Sequence, residues 1–261
     1  MSKYLVDGLN QKFEIKGYRL YFDLQHSVAA EEMLNYLDRA TPGIQMVFGL
    51  EEPPTAEIFL YPDLATIERV TQKPMSMGET VRILPDESVL MLGASHLPKN
   101  LGEDIVRQLC YLLFNAGVKE REIGIRTYRT PSWLREGICL QVPFKIRPDS
   151  KEFLVNGWNI CMEALKAEQL IKPSVMAKSL HLIPDANRRQ LATFQAFFMV
   201  RLLISNYSDK FFKKFATLMA VLEDADAENV FRQVTTLDFD KFFGLYKDWV
   251  RTTNVWAAIS D

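Results

Sequence analysis

The chain has 261 residues, of which 31 are Lys or Arg and 33 are Asp or Glu, giving a formal charge of −2. That balance excludes a general electrostatic attraction to nucleic acid or to an anionic membrane. With 48% hydrophobic residues, 17 Phe, 9 Tyr and 4 Trp, the sequence can build a core, which excludes disorder over most of its length.

The first hundred residues alternate strand-like and helix-like stretches. Tyr18–Leu24 is rich in strand formers and alternates in type, so it predicts a strand. Val28, Met33, Leu34 and Leu37 fall near helical spacing, predicting a helix over 28–40 that Thr41-Pro42-Gly43 stops. Glu57–Tyr61 predicts a second strand, closed by Pro62, and Asp63 is placed to cap a short helix over 64–70. Val81–Leu84 and Ser88–Leu92 predict two more strands, joined by a turn at Pro85-Asp86-Glu87.

From Gly93 onward the pattern is helical. Leu101–Ala116 predicts a long helix with an apolar face, ending at Gly117. Ser132 is positioned to cap a helix from Trp133 to about Val142. Four further helices are predicted over 153–170, 188–205, 210–222 and 239–251. The fold class expected is therefore α+β, with a small mixed-sheet subdomain over 1–142 and a helical subdomain over 143–261. The boundary falls in the Pro- and charge-containing connector 143–152, with no flexible linker.

The start of the chain carries no signal-like apolar stretch. The most apolar window, 196–204, holds Arg201 and is shorter than the roughly 20 apolar residues a spanning helix needs. Cys110, Cys139 and Cys161 sit in apolar helical patterns without zinc-knuckle spacing, which predicts buried thiols and a cytoplasmic protein. His26, His96 and His181 are far apart and predict loop or surface positions. Lys210–Phe215 is basic and aromatic, but helical spacing puts Phe211, Phe212 and Phe215 on one side and Lys213 and Lys214 on the other. That predicts core plus solvated face. Arg188 and Arg189 open a helix in water, and Arg121, Arg126 and Arg129 share a loop with Glu120 and Glu122. Neither a phosphate-binding glycine loop nor a G-x-S-x-G elbow occurs.

Three pieces, in order, resemble the gluzincin-type zinc metallopeptidases of the peptidase MA-like group. An apolar helix over Ile105–Phe114 falls where that family carries His-Glu-x-x-His. Pro131-Ser-Trp-Leu-Arg-Glu-Gly-Ile138 is similar to the family's Pro-x-Trp-Leu-x-Glu-Gly element, whose Glu is the third zinc ligand. The tail, 193–249, is similar to its aromatic helical end. The resemblance implies a zincin-like architecture over both subdomains, with a groove between them.

At the positions the resemblance would make functional stand Arg107, Gln108 and Tyr111; only Glu136 is retained. Zinc needs imidazole, thiolate or carboxylate lone pairs. Arg107 has only donors and a fixed positive charge, and the Gln108 amide takes up no proton near neutral pH. Arg107 and Tyr111 are four apart and share a helix face, on which the Arg107 guanidinium is expected to replace the metal and pair with Glu136. The expectation is a catalytically inactive relative with no metal or cofactor, serving as a protein- or peptide-binding module. Leu92, Gly93, Ala94, Ser95 and His96 are expected to form the edge strand lining its groove. The alternative is a hydrolase with a relocated metal or acid–base site built from Glu103, Asp104 and Glu136.

Overall fold

The computed structural model describes residues 3–75, 79–119, 129–177, 179–207, 210–221 and 226–260. The chain divides into two units, one formed by 1–46 with 50–116 and the other by 47–49 with 117–261. The connector 143–152 lies inside the second.

The first unit carries a five-stranded mixed sheet in the order β1-β2-β3-β5-β4. The strands are β1 (Gln11–Ile15), β2 (Tyr18–Phe22), β3 (Ala56–Tyr61), β4 (Val81–Leu84) and β5 (Val89–Gly93). The parallel strands β2, β3 and β5 form the centre, and β1 and β4 join antiparallel at the two edges. Register puts Leu20, Ile58 and Leu90 in one row and Tyr21, Phe59 and Met91 in the next, on the opposite face. Both faces are covered, which is why β3 and β5 read as apolar runs rather than alternating.

One face packs on α2 (Leu64–Thr71) and the amino-terminal segment, where Tyr4, Leu9, Phe59, Tyr61, Ile67, Val89 and Met91 form a buried cluster. Asp63 caps α2 as expected, its Oδ1 accepting from the Thr66 amide at 2.8 Å. On the other face the Tyr18 hydroxyl meets Thr41 Oγ1 of α1 (Ser27–Phe48) at 3.2 Å, and burial pushes that phenol up to about 12.

Helix α1 runs straight through Thr41-Pro42-Gly43, the expected stop. Pro42 cannot donate to the Asp38 carbonyl four residues back. Lys16 does so instead, its Nζ lying 3.2 Å from that oxygen and 2.7 Å from the Asp38 carboxylate. A tertiary donor thus repairs the break that local chemistry predicts. The sequence reading also omits β1 altogether, because a charged edge strand has no buried face to reveal it. The last element of this unit, α3 (Leu101–Val118), extends past Gly117, and Lys119 takes the left-handed turn instead.

The second unit is helical: α4 (Ser132–Leu140), α5 (Pro143–Ile146), α6 (Ser150–Lys166), α7 (Ala186–Tyr207), α8 (Lys210–Val221), α9 (Ala227–Thr235), α10 (Phe239–Thr252) and α11 (Val255–Ile259). Every residue of α4 is buried, and its main neighbour is α7, buried almost throughout from Leu191 to Leu203. A Cβ on Gly137 would stand 2.5 Å from Val200 Cγ2 and 3.0 Å from the Ala196 carbonyl carbon, with the Ala196 oxygen closer still. Only glycine lets these helices approach so closely. As the spacing predicts, Phe211, Phe212 and Phe215 are buried and Lys213 and Lys214 exposed. No helix among the described residues is long and apolar enough to cross a membrane.

Candidate functional site

Helix α3 buries Ile105, Val106, Leu109, Cys110 and Leu112, and leaves Asp104, Arg107, Gln108 and Tyr111 half-buried. Arg107 and Tyr111 do share a face: Arg107 Nη2 donates to the Tyr111 hydroxyl at 3.3 Å, and the guanidinium lies 5.7 Å from the ring centroid. This corner therefore presents N–H donors and a delocalised cation. Asp104, one turn earlier, has its carboxyl raised above the ordinary range by burial, an effect that Arg107 partly offsets.

Glu136 belongs to the second unit, on the fully buried α4. Arg135 Nη2 lies 3.7 Å from its Oε1, both side chains being almost completely shielded from water. Ser132 is not the cap expected of it: α4 starts at Ser132 itself, after Pro131, with no side-chain cap. The first amides are taken instead by remote carbonyls, Ser132 N by Ala177 O at 2.9 Å and Trp133 N by Met176 O at 3.1 Å. The Ser132 hydroxyl accepts from the Leu180 amide at 3.3 Å. The Trp133 ring is stacked on Phe242 and meets Phe231 and Phe239 edge-on. The Trp-Leu-Arg-Glu-Gly element is thus a core helix: its Trp anchors α9 and α10, its Gly admits α7, and its Glu is held beside Arg135.

The expected groove strand is not an edge. Leu92 pairs with Leu60 of β3 on one side and with Val81 of β4 on the other, while Ala94–His96 turns in a short 3₁₀ helix. An apolar run signals burial on both faces but says nothing about which strand pairs alongside, so β5 was open to misplacement. His96 is exposed and its Nδ1 contacts Ser95 Oγ at 2.8 Å. His26 is half-buried, and the side chain of His181 lies outside the described residues. Among the described residues, no group of three or more His, Cys, Asp or Glu comes together in a way that could hold a metal. All three cysteines are buried; burial raises the Cys110 thiol and pushes that of Cys161 up to about 12, so neither of these two is a ready thiolate.

Arg129 donates to the Met219 carbonyl at 3.4 Å, whereas Arg121, Arg126, Glu120 and Glu122 lie outside the described residues. Sequence reasoning assigned no structural role to several buried polar side chains, among them three that interrupt apolar runs. Arg82 of β4 and Arg201 of α7 are both shielded, and Gln195 of α7 pairs its amide with both backbone groups of Ile171. The available signal was a charge or amide inside an otherwise apolar run. No family model matches the sequence, and neither does any curated protein.

Proposed function

We propose that the chain is a catalytically inactive, zincin-like protein that acts as a protein- or peptide-binding module. The observation that carries this reading is the chemistry at the motif positions of α3. There a guanidinium donates to a phenol, where a hydrolase of that kind would present imidazole lone pairs to a metal. The Trp-Leu-Arg-Glu-Gly element supports it from the other side, because its Glu is engaged by a neighbouring cation in a water-excluded helix. A carboxylate so held, paired and shielded from water, is poorly disposed to bind a metal.

For an extended peptide partner, the sheet of the first unit offers its two outer strands, β1 and β4, and not β5. The raised Asp104 carboxyl favours the competing hydrolase reading, since general acids and bases are tuned in this direction. Elemental analysis of the purified protein, with peptidase assays on unfolded substrates with and without chelator, decides between them. Sub-stoichiometric zinc and chelator-independent background hydrolysis are expected. One zinc per chain, or turnover abolished by chelator and by Asp104→Asn, overturns the proposal.

A further inference from the structure

We propose that β1 is a self-association edge, on which a second copy of this chain docks antiparallel about a two-fold axis at Phe13. The argument begins with the β1–β2 hairpin. Its strands pair from Gln11 with Phe22 to Ile15 with Tyr18, across the two-residue loop Lys16-Gly17. A loop of that length closes on a hydrogen-bonded pair, and such pairs alternate along an antiparallel ladder. Gln11, Phe13 and Ile15 therefore direct their backbone groups inward to β2. The N–H and C=O groups of Lys12 and Glu14 point outward, and among the described residues no backbone bond from another segment reaches them.

The side chains then select the partner and the register. Lys12, Phe13 and Glu14 are all exposed, and Phe13 is a large aromatic left 38% accessible beside Phe22, with ring centroids 4.7 Å apart. A second β1 laid antiparallel can pair through outward groups in three central registers. Two of them set Lys12 against Lys12 or Glu14 against Glu14. The third sets Lys12 against Glu14 of the second copy, twice, as hydrogen-bonded pairs. It leaves the two Phe13 side chains as the central non-hydrogen-bonded pair, the position where cross-strand side chains approach most closely.

Charged side chains, Lys above all, guard many strand edges against pairing, and like charges set directly opposite each other are unfavourable. This edge carries opposite charges two residues apart, already 2.6 Å from each other within the strand, so a copy meets its own complement. The symmetry is that of an isologous dimer, joining two five-stranded sheets into one of ten. An interface of one short strand is small, so the association is weak and concentration-dependent.

Sedimentation velocity of the full chain over a wide concentration range tests this with two charge-reversed variants. The parent is expected to shift from one chain toward two as concentration rises. Glu14→Lys and Lys12→Glu are each expected to stay monomeric with parental circular dichroism, since both side chains are exposed. An equimolar mixture of the two variants is expected to recover the dimer, because a strand with two lysines then faces one with two glutamates. A parent that stays monomeric throughout, single variants that dimerise like the parent, or a mixture that stays monomeric overturns the proposal.

Discussion

Replacing Arg82 by methionine removes a side chain that ties α2 to the edge of the sheet. All five of its N–H groups are used: Nε and Nη2 reach the two Glu79 carboxylate oxygens, both at 3.2 Å, while Nη1 reaches Thr71 Oγ1 and Lys73 O, both at 2.8 Å. The remaining Nη2 bond goes to Pro74 O at 2.7 Å. The Arg82 side chain is 8% exposed and that of Glu79 is 22%. Methionine fills a similar volume but leaves the Lys73 and Pro74 carbonyls without this donor and takes the guanidinium from Glu79.

Breaking a buried pair costs about 3–5 kcal/mol, and the partial exposure of Glu79 places this case at the lower end, about 3 kcal/mol. Arg82→Lys keeps the charge but brings three donors on a point-like head, so about half that loss is expected. Hydrogen exchange along the β4–β5 ladder reads the first unit directly, and 3 kcal/mol corresponds to roughly a 100-fold faster opening. A methionine variant with exchange within a few-fold of the parent, or a lysine variant no better than methionine, refutes the reasoning.

Gly137→Ala is expected to destabilise the second unit by about 1–3 kcal/mol despite alanine's better helix propensity, because the obstruction is the α7 backbone and no rotamer relieves it. Chemical denaturation followed by Trp fluorescence checks this, with all four Trp lying in that unit. Asp104 holds its proton more tightly in the folded chain than in the unfolded one. Its contribution is therefore full in acid, below the ordinary aspartate value, and is lost as pH rises through the raised folded value. Asp104→Asn should match the parent in acid and exceed it at neutral pH; stability curves that stay parallel across that range contradict it.

Where a side chain's role is local, the sequence carries it. Asp63 caps α2, Phe211, Phe212 and Phe215 turn inward on α8, and Arg107 meets Tyr111 one helical turn on, because each relation spans at most four residues and follows from backbone geometry. The candidate site was legible to the same depth: the residue types on α3 and the α4 element could be read in order, but the burial of Glu136 and its pairing with Arg135 could not. Pro42 misled because its missing bond is supplied by Lys16, 22 residues before the Asp38 carbonyl it serves. Ser132 misled because it is itself the first helical residue. Carbonyls more than forty residues later take its own amide and that of Trp133, and the Leu134 and Arg135 amides it was expected to cap go to the Pro131 carbonyl.

By itself the sequence determined an α+β chain with sheet first and helices after, and buried cysteines. Only the tertiary structure decided strand order, and with it that β5 is interior and β1 and β4 are edges. It alone showed that Arg82 is a buried five-bond hub. Hydrophobic periodicity records how far a residue is withdrawn from water, whereas the neighbour that receives it is fixed by long-range pairing that leaves no trace in local pattern.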